Sequence, residues 1–272
     1  MIGCEVAANV MAKSDPTRTI GERMAAFWRP PGWHRRRKEI RQNLETLMST
    51  VDGARLDALR AQYADRMRKA SADSRYKYLD VAFYTLQKLL LAYELGLNEG
   101  PPRRVLDIGT GAGHFPFVCR FFGHHAVGID IDNALYDGIA ACLGVERTIV
   151  RVEPRIALPD LGGRFDLVTA CNVTFNDKRT PRGPRLYWSV EEWQFFLDDV
   201  VARHLGRPGT LFVALTKERQ GRVMGIDRLG YNRQVLAMAR RSGAIVSRRR
   251  GTITLSLDGP GPPLAQTPES AS

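Results

Sequence analysis

The chain of 272 residues is poor in lysine, in cysteine and in long apolar runs, and each shortage excludes something. Only 7 of its 40 basic residues are lysine, so the net charge of +11 is carried mainly by arginine. No apolar stretch approaches the roughly 20 residues that a membrane span needs, so no membrane helix is expected. A basic start followed by an apolar core is missing at the N-terminus, which argues against a secretory signal. The four cysteines (Cys4, Cys119, Cys142 and Cys171) show neither C-x-x-C nor zinc-like spacing, and the five histidines form no ligand pattern. A metal site is therefore not expected. Thiols placed in core elements behave as small apolar groups, and the natural compartment is the cytoplasm.

What is present is a 44% hydrophobic composition, enough for one full α/β core with an extension. The charge is uneven. Residues 1–104 carry a net +7, residues 105–215 a net −2 and residues 216–272 a net +6. Attraction to nucleic acid or to an acidic acceptor is one reading of the basic ends. Arginine bias of the whole chain is the other, and the lack of interleaved aromatic platforms favours it.

The informative stretch is VLDIGTGAG, Val105 to Gly113. An apolar run interrupted only by Asp107 leads into three glycines at alternate positions, Gly109, Gly111 and Gly113. A helix-like run follows at His114, with Pro116 in its first turn, where a missing N–H costs least. Strand, glycine turn and helix make a nucleotide-binding unit: the backbone approaches a ligand closely and the helix N-terminus offers free N–H groups. A second buried strand, Ala126 to Asp130, ends in an acid 21 residues beyond Gly109, the spacing at which such folds place a carboxylate on ribose hydroxyls.

From Arg103 to Leu257 the chain resembles the class I S-adenosylmethionine-dependent methyltransferases. The first motif is VLDIGTGAG, the second GID at Gly128 to Asp130, the fourth-strand motif RFDLVTA at Arg164 to Ala170. The L-x-P-G-G turn before the fifth strand stands as LGRPGT, Leu205 to Thr210, and the adenine-side motif as RVEP, Arg151 to Pro154. The resemblance implies an α/β fold: a Rossmann-like, mostly parallel seven-stranded sheet with helices on both faces and an antiparallel C-terminal hairpin. It implies S-adenosyl-L-methionine as cofactor, with the backbone of Gly109, Thr110, Gly111, Ala112 and Gly113 against its methionine part and Asp107 toward its amino group. Asp130 would take the ribose, Ile131 the adenine face and Glu153 the adenine edge. Cys171, Asn172 and Asn176, after the fourth strand, would border the transferred methyl, with the two asparagines orienting an acceptor or merely forming a polar loop. That stretch lacks the NPPY-type signature associated with exocyclic amines. A polar cluster before the motif, Arg75, Lys77 and Tyr78, would reach the cofactor or open a helix.

Residues 1–100 read as an α-helical extension, a lid or a packing cap. Its apolar positions recur at helical spacing through Ile40 to Val51, Leu56 to Met67 and Tyr78 to Leu97. Residues 101–257 form the methyltransferase domain and residues 258–272 a disordered tail; residues 1–35 are expected to be loosely docked. Strands are expected at 148–152, 165–171 and 211–215, and a helix with a Ser189–Glu192 capping box buries one face through to His204. Trp188 and Tyr187 would wall the acceptor or pack that helix. The expected partner is a small-molecule acceptor; RNA methylation is the alternative, as is a catalytically silent binding protein. An NAD-type Rossmann enzyme is disfavoured because position 114 is His where a third spaced glycine would be required.

Overall fold

The computed structural model describes residues 33–69, 75–172, 174–178, 186–223 and 226–258. The expectations for residues 1–32 and for the tail beyond 258 lie outside these residues.

By contacts the chain divides into two compact units, residues 1–153 with 173–175, and residues 154–172 with 176–272. The helical extension is thus part of the same unit as the glycine stretch. In this first unit, helices α1 (Trp33–Ser49) and α2 (Gly53–Lys69) bury one stripe each, among them Ile40, Leu44 and Leu56, while α3 (Val81–Glu94) buries the consecutive residues Phe83, Tyr84, Thr85 and Leu86 and is covered on most sides. Helix α3 begins three residues later than the periodicity suggests, because Asp80 caps it by accepting the N–H of Phe83 at 3.3 Å. The residues before it, Arg75–Leu79, wind into a 3₁₀ turn. Strand β1 (Arg104–Ile108) leads into α4 (His114–Phe121), then β2 (His125–Asp130), α5 (Ala134–Cys142) and the short β3 (Arg147–Ile149). Strands β1, β2 and β3 are parallel, with Asp107 opposite Gly128 and Asp130 opposite Ile149. Helix α3 packs against α4, and α2 against α5.

In the second unit, β4 (Phe165–Cys171) is almost wholly buried and pairs in parallel with β5 (Leu205–Ala214). The register shifts between Phe165 and Leu167, which absorbs the Gly206–Gly209 stretch into the strand. Between them α6 (Val190–Asp199) starts at the expected capping box and closes with a π turn, Val200–His204. A hairpin of β6 (Glu218–Val223) and β7 (Ile226–Gly230) follows, then α7 (Arg233–Arg241) and the antiparallel pair β8 (Ile245–Ser247) and β9 (Thr252–Leu257). Strand β9 runs antiparallel to β5. The strand order is β3-β2-β1-β4-β5-β9-β8, the Rossmann-like sheet, with β6-β7 as a separate two-stranded ladder that the sequence pattern did not foretell. Among the described residues no helix is long and apolar enough to cross a membrane.

Candidate active site

The glycine turn at the end of β1 is built by backbone hydrogen bonds. Gly109 and Thr110 both donate to the carbonyl of Ile129, at 2.9 and 3.0 Å. Gly111 donates to Asp130 Oδ2 at 2.6 Å, and Ile131 donates to Asp130 Oδ1 at 2.7 Å. The carboxylate expected to hold ribose hydroxyls therefore also closes the loop, and each oxygen keeps a lone pair for a ligand. Gly109, Gly111 and Gly113 all have positive φ, at 73°, 61° and 83°. The position a Cβ would take on Gly111 is open space, so the turn presents bare backbone. Gly113 is the left-handed N-cap of α4, with Val145 Cγ2 only 2.7 Å from where its Cβ would lie.

Two buried polar atoms flank this turn without a hydrogen-bond partner among the described residues, Thr110 Oγ1 and His114 Nε2. Unsatisfied groups beside an open backbone cradle fit a polar ligand such as the amino-acid end of S-adenosylmethionine. Asp107 and Ala112 are buried, while Ile131 is 39% exposed, an apolar side chain available for a ring to cover. Arg147, its side chain buried, holds this region: it pairs with Asp137, donates to the carbonyl of Ile131 at 2.9 Å and lies over the Tyr136 ring. Glu153 stands exposed beyond β3.

Tyr78 meets Tyr84, Tyr136 and His114, at ring separations of 4.6, 5.5 and 6.3 Å. Burial raises its hydroxyl pKa above the usual range, a rise that Lys88 opposes and the Asp130 charge reinforces, which puts Tyr78 electrostatically within reach of Asp130. Lys77 lies over the Tyr78 ring, with Nζ 5.4 Å from its centre.

His114 has its Nδ1 3.3 Å from Thr85 Oγ1 and is fully buried. Burial and the nearby Lys88 cation lower its pKa to about 3, against a weak pull upward from the Tyr78 backbone. The imidazole stays neutral at physiological pH, as a partner for a polar ligand rather than a charge. Between pH 6.5 and about 3 the unfolded chain takes up a proton here that the folded chain refuses. The stability associated with the neutral ring is thus complete above pH 6.5 and declines as pH falls through that window, by up to about 1.4 kcal/mol per pH unit. Urea unfolding of the wild type and of His114→Gln at pH 7 and pH 5 tests this. The wild type is expected to lose about 2 kcal/mol more than the variant over that interval; parallel losses would show that His114 is not the titrating group. His204, also pushed down by burial, is common to both proteins and cancels in the difference.

In the second unit, Cys171 ends β4 buried, opposite Ala214. Asn172 takes a left-handed conformation, φ 54°, and donates its N–H to Ala214 at 2.9 Å. Asparagine tolerates that region better than other side chains, and such strain concentrates at functional sites. Its side chain is exposed. Asn176 is 4% exposed and its Nδ2 donates to Glu218 Oε1 at 2.8 Å. Asn232 Nδ2 donates to the other oxygen, Oε2, at 3.2 Å. Burial raises the Glu218 carboxyl above the usual range, and the amides of Asn232 and Asn176 pull it part of the way back. Sequence reasoning missed Glu218, and the only signal was a carboxylate between Lys217 and Arg219 just past an apolar strand. Trp188 is buried against Trp193 and Phe196, so it packs α6, while the Tyr187 hydroxyl accepts the N–H of Arg219 at 3.3 Å. Among the described residues no group of three His, Cys, Asp or Glu could hold a metal.

This fold, with a glycine turn and an acid at the carboxyl ends of neighbouring parallel strands, is the Rossmann-like α/β class. Comparison then gives the family. The methyltransferase-domain profile matches residues 33–176, more than half the chain, and the chain belongs to that family as an S-adenosylmethionine-dependent methyltransferase. Among solved structures it resembles CalS10, an amino pentose methyltransferase from Micromonospora echinaspora bound to S-adenosylmethionine, at 17% identity over 72% of this chain and 95% of that one, with a TM-score of 0.44. DesVI of Streptomyces venezuelae is 13% identical over 65% of this chain and 92% of that one, with a TM-score of 0.43. The glycopeptide N-methyltransferase MtfA with bound S-adenosylmethionine is 15% identical over 62% of this chain and 93% of that one, with a TM-score of 0.39. No curated protein sequence matches at a significant level.

Proposed function

We propose that this protein methylates a small-molecule acceptor in the cytoplasm, with S-adenosylmethionine held at the glycine turn of the first unit. The observation that carries the reading is the Asp130 carboxylate folded onto Gly111, which sets the glycine backbone and a ribose-binding acid in one arrangement. When bound, the cofactor supplies a methyl group on a sulfonium, already an activated electrophile. Gly109, Thr110, Gly111, Ala112 and Gly113 offer backbone to its methionine part, with Asp107 behind them. His114 and Thr110 add neutral polar atoms, Ile131 covers the adenine and Glu153 stands at its edge. With the methyl already activated, the protein's main tasks are alignment and exclusion of water.

On the acceptor side, Asn172 and Cys171 line the end of β4, and Asn176 acts through Glu218 by fixing its carboxylate. A buried carboxylate with a raised pKa is suited to accept the proton that a hydroxyl or ammonium acceptor loses. The buried thiols Cys119 and Cys142, free among the described residues, support a reducing compartment. The test is calorimetry with S-adenosylmethionine, S-adenosylhomocysteine and NAD, followed by a screen of metabolites and bulk RNA with isotopically labelled methyl donor. Binding of the first two but not of NAD, and label in a metabolite, is the expected result. Label in RNA alone would move the reading to nucleic acid, and cofactor binding with no acceptor at all would move it to a silent binding protein.

A further inference from the structure

The second unit contains a cleft of about 910 Å³ whose chemistry is one-sided. Lys217, Arg228, Arg233, Arg248 and Arg249 line it, and no acidic residue does. These are half of the ten basic residues in the stretch 216–272 that the sequence shows as strongly positive. None of the five forms an ion pair among the described residues. Arginines scattered by compositional bias would face solvent on all sides. Here they converge on one concavity, where low-dielectric walls focus the field on whatever enters.

The convergence is built in. Arg248 and Arg249 sit in the turn between β8 and β9, closed by the N–H of Gly251 to the carbonyl of Ser247 at 2.8 Å and tied to β5 by the N–H of Leu215 to the carbonyl of Gly251 at 2.9 Å. Gly251 lies so close under the Tyr231 ring that a Cβ would come within 2.3 Å of it, and its φ is +67°. Tyr231 is thus wedged between this turn and Lys217, whose Nζ is 5.7 Å from the ring centre. Arg233 opens α7. Lys217 and Tyr231 are chain neighbours of Glu218 and Asn232, the members of the buried carboxylate network. The cleft also lies at the carboxyl end of β5, the end at which Asn172 bonds Ala214. Open α/β sheets bind ligands at that end.

We propose that this cleft binds paired phosphoryl groups, so that the methyl acceptor is a phosphorylated small molecule carrying a diphosphate or two neighbouring phosphate esters. This rests on the small-molecule reading above and names the class of that acceptor. Guanidinium forks match phosphate oxygens in bidentate geometry, and five cations exceed what one phosphate, with a charge of about −2, would balance. The volume fits a small ligand, for which pockets run to roughly 300–1,000 Å³. A polynucleotide would call for an open track of cations rather than a concavity.

The experiment uses the full chain with inorganic pyrophosphate, orthophosphate and bulk RNA as probes, in the wild type and in Arg233→Ala/Arg248→Ala/Arg249→Ala. These side chains are exposed, so the variant is expected to fold; Lys217→Gln serves as a milder second variant. Pyrophosphate is expected to bind at sub-millimolar concentration and more tightly than orthophosphate. The triple variant should weaken it by roughly thirty-fold or more, with S-adenosylmethionine affinity unchanged. Methyl transfer to phosphorylated acceptors should be inhibited competitively by pyrophosphate, and the variant should raise KM far more than it lowers kcat. Equal pyrophosphate binding in wild type and variant, or none, would overturn the assignment. So would RNA binding with a steep salt dependence that pyrophosphate does not displace, which would make the cleft a nucleic-acid site. Loss of S-adenosylmethionine binding in the wild type would instead defeat the methyltransferase reading and leave the pyrophosphate result standing.

Discussion

Replacing Asp130 by alanine is expected to weaken S-adenosylmethionine binding by about a hundred-fold, or about 3 kcal/mol. Two charge-assisted hydrogen bonds to ribose would disappear, each worth roughly 1.5–3 kcal/mol before water compensates. The same carboxylate accepts the N–H of Gly111 at 2.6 Å and that of Ile131 at 2.7 Å, so its removal also loosens the glycine turn. Asp130→Asn keeps one acceptor oxygen and should fall between the two. Calorimetry decides. An unchanged Kd in Asp130→Ala would remove the ribose assignment, and a loss in Asp130→Ala matched by a loss of folding stability would shift its weight to the loop.

The largest effect on stability is expected at Gly113. With φ at +83° an alanine there costs about 1–2 kcal/mol of backbone strain. Its Cβ would also lie 2.7 Å from Val145 Cγ2, an overlap that adds about 1–3 kcal/mol if the neighbour yields only in part. A total near 3 kcal/mol by urea unfolding is the expected result. Gly144→Ala is the internal control: its φ is +63° but nothing lies within 4 Å of its added Cβ, so it should lose only the strain. Equal losses at the two positions would mean that the Val145 contact relaxes freely.

The sequence was most legible where local chemistry and tertiary need coincide. Phe165 to Cys171 is an apolar run between turn residues and is a strand at those limits. Ser189 and Glu192 satisfy each other's backbone and open α6 as their spacing indicates. Legibility failed where a distant partner decides the outcome. Asn176 donates to Glu218, 42 residues away, a pairing that no local pattern encodes. The ERQGRV strand, Glu218 to Val223, is polar in sequence and pairs with β7, so periodicity could not show it. Strand β5 starts at Leu205 because a register shift accommodates residues that read as a turn. The third strand was expected at 148–152 and spans Arg147–Ile149, with Val150 bonding Asp130 from just beyond it. The basic C-terminal stretch looked like compositional bias because a sum of charges says nothing about where side chains converge.

Arg147 has a practical consequence for cofactor engineering. Its guanidinium suspends the Ile131 carbonyl at 2.9 Å while sitting over the Tyr136 ring, so the wall proposed for the purine hangs from β3 and α5 as well as from Asp130 and the glycine turn. Shortening residue 147 would remove the support of that wall from β3 and leave the Asp130–Gly111 bond in place. A variant of this kind is a starting point for accepting donors with enlarged bases, which would allow one methyltransferase in a mixture to be addressed by a donor that the others ignore.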